Sequence, residues 1–204
     1  MAQEYSSLYG GGTFGSSQRV QLSYEVAKQP DTLYVYQVLN PSALLALGGP
    51  QNFKNTSQLE LKRVKSLQVG GVRKYGSVNL GVLERGLYLA QLGKNKTAKA
   101  VLVLVTDLGL VVKYDGDDML TYTADTRTGK PIPTRVFLLE KGKTLSEVGS
   151  SKAGLASLKT DKGGKENVYV AARAGDQWVF SSSYVSDWNR EKSRIYLQTD
   201  RPVY

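Results

Sequence analysis

Alternation is the first readable signal in the chain. Val20, Leu22, Tyr24 and Val26 fall on every second position, with Gln21, Ser23 and Glu25 between them. That period points successive side chains to opposite faces of a strand, one buried and one wet. Pro30-Asp31 ends the segment, and Leu33 to Val38 reads as the next strand. Pro41 to Leu47 reads as one short helix, with Asn40 as its cap, Pro41 in its first turn and Gly48-Gly49 as its stop. Leu59, Leu61 and Val64 lie among Glu60, Lys62, Arg63 and Lys65, which predicts a solvent-facing strand whose alternation slips once. Gly86 introduces a strand over Leu87 to Leu92, and Gly93-Lys94-Asn95-Lys96 closes a first unit as a hairpin-like turn.

A second set of strands follows over 100–105, 108–114 and 119–124. Asp115-Gly116-Asp117, between the last two, is the strongest short hairpin signal in the chain. Val136 to Leu139 is a further strand, while Ser151 to Lys165 is polar and Gly-rich without clear period. Val168 to Ala172 and Gln177 to Phe180 predict a hairpin around Gly175-Asp176, and Ile195 to Leu197 starts one more strand. Strands spaced about 8–12 residues apart with turn signals between them predict an all-β chain of two tandem antiparallel β-sandwiches. Strands do not alternate with longer helices, which disfavours a parallel α/β sheet. The expected organisation is a tail over 1–9, sandwiches over 10–99 and 100–192, and the truncated first strand of a following domain over 193–204.

Composition narrows the chemistry. The 204 residues suit two domains of about 100 each. Cys and His are both absent, which removes disulfides, zinc fingers, thiolate nucleophiles and the Ser-His-Asp triad from this chain. The net charge of +9 is uneven: residues 1–99 carry 12 basic and 5 acidic side chains (+7), residues 100–204 carry 15 and 13 (+2). A basic half raises polyanions as partners, but the charges are scattered and no long basic block stands alone. No apolar run approaches the ~20 residues of a membrane helix, and no signal peptide is visible.

Individual candidates weaken on inspection. Asp115-Gly116-Asp117-Asp118 offers carboxylates to Ca²⁺ without the loop spacing that cation needs, so a hairpin turn is the simpler reading. Glu140, Glu147 and Glu166 are the acids available for paired-carboxylate chemistry, and nothing in the pattern pairs them. Gly10-Gly11-Gly12-Thr13-Phe14-Gly15 has the look of a phosphate loop but lacks its Lys and the helix that should follow. Lys62, Arg63, Lys65, Arg73 and Lys74, with Tyr75, form the densest basic region. Period 2 puts Lys62 on one face and Arg63 and Lys65 on the other, which breaks a nucleic-acid stripe and suits an edge-protecting strand. Trp178 and Trp188 read as core or inter-domain anchors. Asn55-Thr56-Ser57 and Asn95-Lys96-Thr97 match a glycosylation pattern that matters only in a eukaryotic secretory host. No catalytic, cofactor-binding or metal residue is assigned, and no cofactor is expected.

The tail changes the picture. Tyr196-Leu197-Gln198-Thr199-Asp200-Arg201-Pro202-Val203-Tyr204 resembles the Y-x-x-T-D-R-P-x-Y opening strand of macroglobulin-like domains in the alpha-2-macroglobulin family. Val105-Thr106-Asp107-Leu108-Gly109-Leu110 is similar to the V-T-D-L-G strand of bacterial members. Asp125 to Pro133 resembles their Gly-x-Pro turn, and Thr160-Asp161-Lys162-Gly163-Gly164 their T-D-x-x-G turn. Leu83-Glu84-Arg85-Gly86-Leu87-Tyr88-Leu89 resembles the late L-x-x-G-x-Y strand. The resemblance covers residues 100–204 best and residues 1–99 in style only. It implies two macroglobulin-like, fibronectin-III-like sandwiches from the N-terminal part of a bacterial protease trap in the periplasm or outside the cell. It implies target proteases as partners through the full-length parent, a cell-wall synthase or other envelope protein as a further partner, and no nucleic acid. Membrane attachment would come only from a lipid anchor elsewhere in the parent. The family's Cys-x-Glu-Gln thioester has no Cys here, and no bait segment is identifiable. The alternative from the residues themselves is a secreted β-sandwich adhesin or anionic-polymer binder using the basic first half.

Overall fold

The computed structural model describes residues 6–26, 30–46, 58–70, 74–93, 100–115, 118–140, 146–150, 152–159, 168–181 and 194–197. The chain divides into two compact units, one of 1–41 with 56–105 and one of 42–55 with 106–204.

Along the first half run β1 (Ser7–Tyr9), β2 (Gly12–Phe14), β3 (Arg19–Glu25), β4 (Asp31–Val38), helix α1 (Pro41–Ala46), β5 (Leu61–Val69), β6 (Tyr75–Val82), β7 (Gly86–Leu92) and β8 (Ala100–Val105). The strands form a three-stranded sheet, β1-β3-β6, and a five-stranded sheet, β2-β8-β7-β4-β5. Alternation decides the core: Val20, Leu22 and Leu80 of the first sheet pack with Leu33, Val35, Tyr88, Ala90, Leu92, Val103 and Val105 of the second, all buried. Tyr88 also donates its hydroxyl to the Glu84 carbonyl at 2.8 Å, tying the corner before β7. That bond accounts for the Gly-x-Tyr spacing of the segment.

Three expectations change here. Residues 7–9 are not a tail: Leu8 is buried and β1 pairs with β3 from Ser7↔Glu25 to Tyr9↔Ser23. The β-branched run 100–105 does not open the second unit. It pairs antiparallel with β7 from Gly86↔Val105 to Gln91↔Ala100, so the polar stretch before it connects two neighbouring strands of one sheet. The glycine run is a crossing. Between β1 and β2 the chain switches sheets through Gly10, at φ +85°, and Gly11, where a Cβ would lie 2.5 Å from the Leu102 carbonyl. β2 then runs parallel to β8, an exception to the antiparallel pattern. The helix appears where expected, but Asn40 spends its side chain on the next segment, accepting the Glu60 N–H at 2.9 Å and donating to the Gln58 carbonyl at 3.2 Å.

The second unit carries β9 (Leu108–Asp115), β10 (Asp118–Asp125), β11 (Arg135–Glu140), β12 (Ser146–Ser150), β13 (Leu155–Lys159), β14 (Val168–Ala174), β15 (Gln177–Phe180) and β16 (Arg194–Leu197). Two four-stranded sheets result, β13-β10-β9-β16 and β12-β11-β14-β15. Leu108, Leu110, Val112, Met119, Ala156 and Leu158 of one face Val136, Leu138, Val170, Ala172 and Val179 of the other. The polar, Gly-rich stretch hides β13, whose Ala156 and Leu158 alternate with Leu155 and Ser157. The segment expected to lead into a further domain begins inside this one: β16 pairs with β9 from Arg194↔Tyr114 to Leu197↔Val111. Asp115 and Asp118 pair directly in the antiparallel β9–β10 ladder.

Candidate interaction surfaces

Thr106-Asp107, the two residues between β8 and β9, begin the main stretch of the second unit. Both are buried. The Thr106 hydroxyl accepts the Leu108 N–H at 3.1 Å and donates to Gln177 Oε1 at 3.4 Å. The same Oε1 accepts the Asp107 N–H at 3.2 Å, and the Asp107 carbonyl accepts the Thr126 N–H at 2.8 Å. The Thr106-Asp107 part of the V-T-D-L-G string is therefore held to the second unit by backbone and side-chain hydrogen bonds. The neighbouring Asp125-to-Pro131 string is a turn of the same kind. Asp125 Oδ1 accepts the N–H groups of Arg127 and Thr128 at 2.9 and 2.8 Å, and Gly129 closes it at φ +69°. The Thr128 N–H, foremost, holds the Asp125 carboxyl below its usual range.

A second surface lies on the outer side of β11, β14 and β15. Phe137, Trp178 and Phe180 stack in a row, with centroids 5.2 and 6.2 Å apart. Arg135 sits 5.8 Å over Phe137 and Arg173 sits 5.4 Å over Trp178. All three rings are buried although they face away from the sandwich core, so both faces of this sheet are covered. Trp178, expected as a core or inter-domain anchor, is buried but lies outside the sandwich core; Trp188 lies outside the described residues.

The remaining candidates disperse. Glu147 forms an ion pair with Arg135, accepting both Nε and Nη2. That hydrogen bond pulls the carboxyl below its usual range, opposite to what a general acid needs. Glu166, Arg73, Asn55-Thr56-Ser57, Asn95-Lys96-Thr97 and Thr160 to Gly164 fall outside the described residues, as do Gly116-Asp117 and the Glu140 side chain. Among the described residues no group of three or more acids gathers as a metal site. None of their helices is long and apolar enough to cross a membrane.

The basic strand β5 is divided differently from its period. Tyr36 pairs with Arg63 and Val35 with Lys65, so Val64 is a bulge. Arg63 and Lys65 consequently point to opposite faces, not the same one. Arg63 lies 5.9 Å over Tyr34, which stacks on Tyr36 at 6.3 Å. Lys65 turns inward and donates from Nζ to the Leu80 carbonyl. The slip at Val64 was legible in the sequence; its effect on the faces was not, because a bulge is recognised only from both strands.

No family model matches the chain. A curated relative, alpha-2-macroglobulin of Thermotoga maritima, is 26% identical over 97% of this chain, which spans 13% of that protein. Alpha-2-macroglobulin of Ralstonia nicotianae is 27% identical over 62% of this chain and 8% of its own length. The chain thus spans only a small part of the curated relatives it matches. Among solved structures, an Escherichia coli alpha-2-macroglobulin fragment spanning domains MG0-NIE-MG1 aligns with TM-score 0.60 at 19% identity. It covers 87% of this chain and 64% of the fragment. The fragment spanning NIE-MG1 aligns with TM-score 0.56 at 18% identity, over 86% of this chain and 96% of the fragment. Salmonella alpha-2-macroglobulin reacted with methylamine aligns with TM-score 0.65 at 18% identity, over 88% of this chain and 12% of that structure. These likenesses show the fold.

Proposed function

The chain is a homologue of bacterial alpha-2-macroglobulins, and from that premise we propose that it supplies non-catalytic structural domains to a larger protease inhibitor of that kind. The carrying observation is the match of 97% of this chain to 13% of the Thermotoga maritima relative. A match that runs nearly the length of this chain but over a small part of a long relative supports reading the chain as one part of a larger protein. The likeness in fold to the Escherichia coli NIE-MG1 fragment, covered over 96% of its length, supports a corresponding position for the two units. Target proteases are met by the whole inhibitor, as the trypsin-activated form of the Escherichia coli protein suggests for its own case. Bait segment and any thioester belong to other parts of that protein, and its place is the bacterial envelope, with attachment made elsewhere.

The chemistry of the described residues supports a scaffold. Glu147 is paired with Arg135, and the Asp125 carboxylate is taken up by the N–H groups of its own turn. The binder alternative is not favoured, because the bulge at Val64 splits the basic strand between two faces. The test is direct. The purified chain should leave trypsin's hydrolysis of casein unchanged at molar excess and should itself turn over no peptide or glycoside substrate. Inhibition or turnover by this chain alone would sink the proposal.

A further inference from the structure

The outermost strands β5 and β6 lie on the same side of the first sandwich, one in each sheet. An outermost strand offers backbone N–H and C=O groups to any other chain, its own copies included. Here both strands are interrupted at the same level. In β5, Val64 is the bulged residue. In β6, Val20 pairs with Gly81 and Gln21 with Asn79, so Leu80 is skipped by the ladder. Gly81 then turns at φ +77°, and its N–H is taken by the Asn79 side chain at 2.7 Å. Lys65 joins the two interrupted places: its ammonium bonds the skipped Leu80 carbonyl.

We infer that Lys65 is a guard against strand pairing between copies of this chain at the β5–β6 side. A strand approaching β6 must either displace the ammonium from the Leu80 carbonyl or bury it beside apolar surface, and an unpaired buried charge is strongly unfavourable. The two bulges add twist that a flat partner strand cannot follow. Tyr75, 70% exposed, and Val82, 55% exposed, mark the strand that is left open and needs the protection. A lysine used only for solubility would stay exposed, as Lys62 does on the same face of the strand.

Sedimentation velocity on the 204-residue chain tests this, with Lys65→Met, Lys65→Gln and Lys62→Met, each of which removes one positive charge. Lys65→Met should raise the weight-average mass towards twice the monomer's across about a hundredfold concentration range, with new deuterium-exchange protection over Tyr75–Val82. Lys65→Gln should associate as well, and wild type and Lys62→Met should hold the monomer mass. Folded Lys65 variants that stay monomeric overturn the inference. So does equal association of Lys62→Met, which would make net charge the cause. If both Lys65 variants lose their near-UV circular dichroism, Lys65 is a strut of the core and the inference also fails.

Discussion

Thr123 is a buried polar side chain of the second unit with three close oxygen neighbours, and replacing it by Val isolates what its hydroxyl does. Thr123 is fully buried. Its Oγ1 donates within 2.7 Å of the Ile132 carbonyl and lies 3.1 Å from Thr134 Oγ1 and 3.2 Å from the Gly154 carbonyl. Val keeps the shape, so no cavity opens. One donated and one received hydrogen bond disappear. Each is worth about 0.5–1.5 kcal/mol net, and a buried partner left without replacement costs about 1–3 kcal/mol. The expected loss is about 2–3 kcal/mol, or roughly 10–20 °C in Tm for a unit of this size. Thr121 provides the contrast. It is equally buried but makes one long bond, 3.4 Å to the Ala156 carbonyl, and Thr121→Val should cost about 1 kcal/mol or less. The assay is thermal unfolding followed by tryptophan fluorescence. Both tryptophans, Trp178 and Trp188, belong to the second unit, so the signal reports that unit alone. Equal Tm values for Thr123→Val and Thr121→Val would refute the ranking of the two sites.

Gly154→Ala should destabilise the second unit by more than about 1 kcal/mol, because φ is +77° and a Cβ would meet the Thr123 carbonyl at 2.4 Å; chemical denaturation measures it. Burial, and secondarily the Glu84 charge, raise the Tyr88 hydroxyl above its usual value. A raised folded-state pKa gives stability that is whole below about pH 10 and lost as pH rises through the folded value. Alkaline unfolding of the first unit should show that fall, and Tyr88→Phe should flatten it. The Glu147 carboxyl should titrate below an ordinary glutamate by NMR and return towards it in Arg135→Gln. Limited proteolysis should spare Thr106-Asp107, since both residues are buried and hydrogen-bonded within the second unit; an early cut between Val105 and Leu108 would contradict that.

Local signals were legible where one strand decides the outcome alone. Val20 and Leu22 announce their burial by period, and Gly175-Asp176 announces its hairpin. The sequence could not say which neighbour a strand chooses. Ala100 to Val105 looks like a beginning because a polar stretch precedes it, yet its partners are Gly86 to Gln91 on the near side and Gly12 to Phe14 on the far side. The inward turn of Lys65 depends on a bulge read from β4, and the burial of Phe137 and Trp178 depends on what covers the outer face. Of the surfaces, Trp178 was singled out beforehand; its arginine companions were not, because Arg135 and Arg173 come from different strands that meet only in the sheet.

The pairing of Gly12–Phe14 with Val103–Val105 has a consequence for biosynthesis. These partners stand some ninety positions apart, and long-range pairings form late and slowly. On a ribosome, which delivers the chain from the N-terminus, β2 waits for almost the whole first unit to emerge before its neighbour exists. β7 waits too, exposing a ladder of backbone groups until β8 arrives. The last residue needed to close that sheet, Val105, is also the last of the first unit. A truncation even six residues earlier would strand β2 and β7 without their shared partner, so the shortest autonomous version of the first unit ends at Val105 and not at Lys99.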